Sequence, residues 1–141
     1  MSGYILYLSD SRTSGLPLSI EFESAESCHT SYKLFNALKT AFGNSVDYWE
    51  VVNCVELSSR YVLLVDETGL YKQDYGLNLC ALTLYGQVIV GGAFVLVRND
   101  EELDFLTSAD VETIRAFLSS RLGTDVLVPV VMWNSLGLPD N

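Results

Sequence analysis

Val88-Ile89-Val90-Gly91-Gly92-Ala93-Phe94-Val95-Leu96-Val97 is a nearly continuous apolar run. A stretch with no polar alternation is the signature of a strand covered on both faces, so this one is expected at the centre of a sheet. The paired glycines mark a bulge or a close approach of backbone to a neighbour. They are followed by strand and not by a helix start, so they do not read as a phosphate-cradling loop.

Downstream, Arg98 to Asp104 reads as an acidic loop. Thr107-Ser108-Ala109-Asp110 then reads as a helix start, with Thr107 capping and an acidic residue three positions on. Val111, Ile114, Phe117, Leu118 and Leu122 form the apolar stripe of that helix, and Gly123 ends it. A last strand is expected over Val126 to Trp133, where Trp133 serves either the core or a dimer contact.

Upstream, Gly86 breaks Leu77 to Tyr85, a segment whose pattern fits a short helix or a strand. Asp66-Glu67-Thr68-Gly69 is a turn, expected as type I with Gly69 left-handed. It joins a strand over Tyr61 to Val65 to a short strand at Leu70-Tyr71-Lys72. Val46 to Leu57 reads as another strand, turned by Ser58-Ser59. From Ser24 to Phe42 the period changes: Ala25, Cys28, Tyr32, Phe35, Leu38 and Phe42 recur at helical spacing, with Ser24 as N-cap and Gly43 as stop. Tyr4 to Leu8 and Leu16 to Phe22 form a hairpin through the polar stretch Ser9 to Gly15, and Pro17 suggests an edge position.

The resulting order predicts an α+β fold, a mostly antiparallel sheet with two amphipathic helices packed on it, in one domain over residues 1–141. Residues 1–45 supply the N-terminal hairpin and helix; residues 46–141 supply the sheet, the second helix and the last strand. At this length a chain buries roughly 68–70% of its unfolded surface, and an apolar content of 49% against 18% charged residues argues against disorder.

The chain carries 18 Asp and Glu against 8 Lys and Arg, a formal charge of −10. This balance argues against direct nucleic-acid binding and against anionic membrane surfaces. It favours a basic protein surface, including the nucleic-acid site of another protein, where carboxylates stand in for phosphates. The plain alternative is that the charge serves solubility.

Reactive groups are few. His29 is the single histidine, and adjacent helical residues point about 100° apart, so Cys28 and His29 do not form a dyad. Cys28, Cys54 and Cys80 are widely spaced and odd in number, which predicts reduced thiols in a cytoplasmic protein without a leader. The stretch Val126 to Trp133 contains Pro129 and is too short to cross a bilayer. The carboxylates of Asp66-Glu67 and of Asp100-Glu101-Glu102 with Asp104 fall in expected turns, where water opposes acid–base tuning. Nor do the latter have the ligand pattern of a calcium loop. Along a strand one of Tyr48 and Trp49 must face away from the core, between Asp47 and Glu50.

Tyr61 to Tyr71, Gly76 to Leu82, Gly86 to Val97 and Asp104 to Asp110 resemble, in that order, the domain of unknown function 3846 family over roughly residues 50–118. Ile89-Val90-Gly91 matches its "I-x-G-x-x-x-V" strand and Leu106-Thr107 its "hydrophobic-Thr" helix start. The resemblance implies a small protein of phages, plasmids or actinobacteria, hence an anti-defence or accessory role. It brings no catalytic residues.

Together these readings predict a non-enzymatic acidic protein-binding module without cofactor or metal, an anti-CRISPR-like inhibitor of a host nucleic-acid-binding defence complex in the host cytoplasm. The expected contact residues are Asp47, Tyr48, Trp49, Glu50, Asp66, Glu67, Asp100, Glu101, Glu102 and Asp104. The alternatives are a ligand-binding or enzymatic domain with a tyrosine-lined pocket, and a homo-oligomeric accessory protein, for example a homodimer.

Overall fold

The second half of the apolar run, from Ala93 on, occupies the middle of the sheet, whereas Val88 to Gly92 precedes the strand. In the computed structural model, which describes residues 3–23, 48–71, 74–100 and 102–136, β5 (Ala93–Asn99) lies between β4 (Tyr61–Asp66) and β1 (Gly3–Leu8). The strand order is β3 (Trp49–Asn53), β4, β5, β1, β2 (Pro17–Phe22), β7 (Val130–Met132). Partway along β5 the neighbour changes: Ala93 to Val95 pair with β1, whereas Val97 to Asn99 pair with β6 (Glu102–Asp104). All pairings are antiparallel except that of β2 with β7.

Burial on both faces explains the missing alternation. Val95 and Val97 join a core with Leu6, Leu8, Leu63 and Val65 on the face that carries both described helices, α1 (Leu79–Tyr85) and α2 (Ser108–Leu122). Phe94 and Leu96 point the other way, into a second cluster with Ile5, Tyr7, Ile20, Val62 and Leu64. The protein is therefore α+β, with a mostly antiparallel seven-stranded sheet. The helix expected over Ser24 to Phe42 lies outside the described residues.

The stripe predicted for α2 packs as expected. Ile114 and Leu118 are fully buried, with Val111, Phe117 and Leu122 half-buried against the same core. Its start is fixed by a capping box in which Thr107 and Asp110 bond reciprocally. Asp110 also accepts the Tyr61 hydroxyl at 2.7 Å and both Arg60 Nε and Nη2 at 3.2 Å, tying the helix to the first residues of β4. Burial alone would raise the Asp110 pKa. The Arg60 guanidinium, the Thr107 N–H and the Tyr61 hydroxyl together outweigh it and hold the carboxyl below its ordinary range. Burial, and then the Asp110 carboxylate, push the Tyr61 phenol upward.

Several boundaries differ from the sequence reading. Pro17 does not mark an edge, since β2 sits between β1 and β7. Ser19 N–H points outward to Pro129 O at 2.8 Å, and Pro17, two residues earlier on that side, lies beyond the reach of β7, where a missing donor costs nothing. The ambiguous Leu77 to Tyr85 contains α1, started by Asn78 and stopped by Gly86 at φ +92°. Gly69 is not left-handed; it opens a 3₁₀ turn, Gly69–Tyr71, in place of the expected short strand. Arg98 to Asp104 is not a loop but the end of β5, a tight turn and β6. Asp100 sits there at φ +56°, a conformation that Asp tolerates better than most residues. The last strand shrinks to Val130–Met132, and Val46 to Leu57 yields only Trp49–Asn53.

Two predictions follow from polar groups in this frame. Asp110 has a lowered folded-state pKa, so its contribution is present above the ordinary carboxylate range and is lost as pH falls through the folded value. Asp110→Ala should cost about 1–3 kcal/mol near neutrality, and urea midpoints of wild type and variant should converge as the pH is lowered. Ser19 Oγ is buried without a partner, so Ser19→Ala should raise stability by about 1 kcal/mol in the same assay.

Candidate functional site

At the end of the sheet where β1 and β4 finish and β5 begins, Asn78 is fully buried and fully bonded. Its Nδ2 donates to Leu8 O at 2.9 Å and Gly91 O at 2.8 Å, and its Oδ1 accepts Ala81 N–H at 3.0 Å. One side chain thus joins two adjacent strands to the cap of α1. Gly91 has φ +78° and lies under the Tyr75 ring, where a Cβ would stand 2.6 Å from a ring carbon. Here the glycine pair marks the close approach that its sequence suggested.

Tyr75 continues outward from Gly91. Its hydroxyl donates to Asp66 Oδ2 at 3.0 Å, while Asp66 Oδ1 accepts the Thr68 N–H and hydroxyl, each at 3.0 Å. The Arg12 guanidinium stacks 4.9 Å from the Tyr75 ring centre and pairs with Asp10 at 2.8 Å. Asp10 also accepts the Gly76 N–H at 3.1 Å. Asp10 and Asp66 are both buried, and their oxygens are taken up within the fold.

Beside this network, a groove of about 170 Å³ runs between the end of the β3–β4 pair and the segment after α1. Glu50, Glu67 and Gln87 line it with the apolar Leu70, Tyr85 and Val88. Leu70 is 70% exposed and Val88 55%, apolar surface left in water next to exposed carboxylates. Glu67 N–H donates to Tyr48 O at 2.9 Å, which sets Tyr48, 66% exposed, alongside. Trp49 turns inward and packs 6.1 Å from Phe94. Strand alternation therefore leaves Tyr48 as the outward aromatic.

The ten expected contact residues do not form one group. Tyr48, Glu50 and Glu67 gather at this groove, with Asp66 buried beneath and Trp49 half-buried. Asp100 and Glu102 are exposed at the β5–β6 hairpin, and Asp104 is half-buried with its carboxylate accepting the Phe105 N–H at 2.8 Å. The hairpin and the groove lie at opposite ends of the β4–β5 pair, roughly 25 Å apart at about 3.3 Å per residue. Asp47 and Glu101 lie outside the described residues, as do Cys28 and His29.

Leu70, Tyr85 and Val88 were not anticipated. Leu70 was assigned to a strand, and nothing in the pattern around Val88 separates it from the buried run that follows.

Among the described residues, no group of three or more His, Cys, Asp or Glu side chains could hold a metal ion. Burial pushes the Cys54 thiol up to about 12 and Cys80 up to about 11, which removes thiolate reactivity at both. Among the described residues, Tyr85 is the tyrosine that lines the groove, and Tyr7 the one that lines a second cavity beside the β1–β2 loop. No described helix is long and apolar enough to cross a membrane.

Comparison with family models, with curated proteins and with solved structures finds no match. The resemblance over residues 50–118 accordingly rests on the quoted sequence pattern.

The frame of this site is open to a direct test. Asn78→Ala takes a donor away from both the Leu8 and Gly91 carbonyls and removes a helix cap. It should cost about 2–4 kcal/mol by urea denaturation.

Proposed function

We propose that this protein is a non-enzymatic protein-binding module that takes a basic segment of a partner into the groove between Glu50, Glu67 and Val88. The observation that carries this reading is an apolar floor, with Leu70 and Val88 left in water, placed between exposed carboxylates on a chain of charge −10. Exposed apolar surface with a charged rim is typical of an interaction site. A lysine or arginine stem would cover the floor while its head meets Glu50 and Glu67. The outward Tyr48 adds a rigid aromatic at the margin, a residue type enriched at binding hot spots.

The partner we favour is the nucleic-acid site of a host defence complex, in keeping with the mobile-element setting that the sequence resemblance implies. Phosphate mimicry then falls to the β3–β4 end, because the hairpin carboxylates stand at the far end of the sheet and cannot continue the same run.

The test uses a fluorescent arginine-rich peptide as a stand-in for the basic segment. Glu50→Lys with Glu67→Lys should weaken its binding at least about tenfold at low salt, with most of the change in association rate. Asp100→Lys with Glu102→Lys should change it less than about twofold. Equal effects from both pairs would mean diffuse charge attraction and would sink the assignment.

A further inference from the structure

A second concavity, on the opposite side of β1 from the groove, has a different chemistry. Its volume is about 410 Å³, inside the roughly 300–1,000 Å³ span of small-molecule sites. Tyr7, Leu16, Pro17, Leu18, Leu127 and Pro129 form its walls. No charged side chain lines it among the described residues, which is notable on a chain with this excess of carboxylates.

Of its three hydroxyl residues, Tyr7, Thr13 and Ser14, none is without a partner. Thr13 Oγ1 donates to Asp10 O at 3.2 Å, and Ser14 Oγ bonds Ser9 Oγ at 3.0 Å and accepts the Leu16 N–H at 3.3 Å. The loop that forms this wall is held from within. Buried Asp10 fixes Arg12 by its backbone N–H at 3.0 Å and its Nε at 2.8 Å, and it reaches across to Gly76 N–H. Pro17 and Pro129 stiffen two more sides. The hollow is thus preformed, which lowers the ordering cost of binding. Meanwhile Leu16 is 50% exposed and Leu127 69%, so apolar surface is left for an occupant to cover.

We propose that this cavity binds an uncharged, apolar small molecule. Charged ligands find no counter-charge and no free donor among the described wall residues to replace lost water. A second copy of the chain is a poorer occupant, because two concave patches related by a two-fold axis leave a void, and two such anionic chains repel. The proposal is independent of the basic-segment groove.

The experiment titrates the full chain with N-phenyl-1-naphthylamine, a neutral probe that brightens in apolar surroundings. Saturable one-to-one binding is expected, with a Kd on the order of 10 µM for a ligand of this size. Leu127→Asp places a carboxylate at the wall and should weaken it at least about tenfold, and Leu16→Trp, which fills the mouth, should do the same. Unchanged urea midpoints will show that both variants fold; where one does not, the other decides. Glu50→Lys with Glu67→Lys should leave probe binding unchanged, which separates this site from the groove. Absence of saturation, several probes per chain, or wild-type affinity in both folded variants overturns the proposal. So does a wild-type dimer that Leu127→Asp turns into a monomer without any probe binding, since the face then belongs to self-association.

Discussion

Both surface concavities depend on how the β1 end of the sheet is held together, and Asn78 supplies the central tie. Leu8 pairs with Ala93 at the end of the β1 ladder, and Gly91 stands just ahead of β5; the carboxamide of Asn78 donates to both carbonyls. The same residue caps α1. Buried carbonyls left unpaired are costly, so one amide in this position fixes the relative placement of two strands and a helix. Tyr75 and Asp66 extend the tie toward the groove, and Asp10 extends it toward the apolar cavity through Gly76.

The chain's carboxylates serve two distinct ends. Asp10, Asp66 and Asp110 are buried, and each accepts from nearby donors: a guanidinium for Asp10 and Asp110, the Thr68 N–H and hydroxyl with the Tyr75 hydroxyl for Asp66. These act as structural acceptors and contribute little to the outward field. Glu50 and Glu67, by contrast, face water. The count of carboxylates therefore overstates the anionic surface that a partner meets, and position decides which groups matter.

Much of this architecture was legible in the sequence. The run from Ala93 to Val97 announced a central strand because hydrophobicity on every residue has one economical explanation, and Thr107 with Asp110 announced a helix start because the reciprocal bond is local. Legibility failed where tertiary partners decide. Leu77 to Tyr85 has the same apolar content as a strand, and only the bonds that bury Asn78 select helix. Pro17 looked like an edge marker because the length of β7 is invisible in one sequence. The ten carboxylates and aromatics looked like one surface because nothing local says that Glu67 and Asp100 sit at opposite ends of a strand pair. Trp49 and Tyr48 were correctly expected to part ways, but which of them turned inward depended on Phe94.

The placement of β1 has a bearing on synthesis. β1 lies in the interior of the sheet, with β2 on one flank and β5 on the other. Leu6 finds β2 soon after translation, but its second neighbour, Val95, is made much later. Until then the nascent hairpin exposes an apolar, unpaired flank of the kind that invites wrong partners. Closure over so long a loop also makes folding slow relative to a helical protein of equal size. A chain truncated before Ala93 would retain this flank permanently.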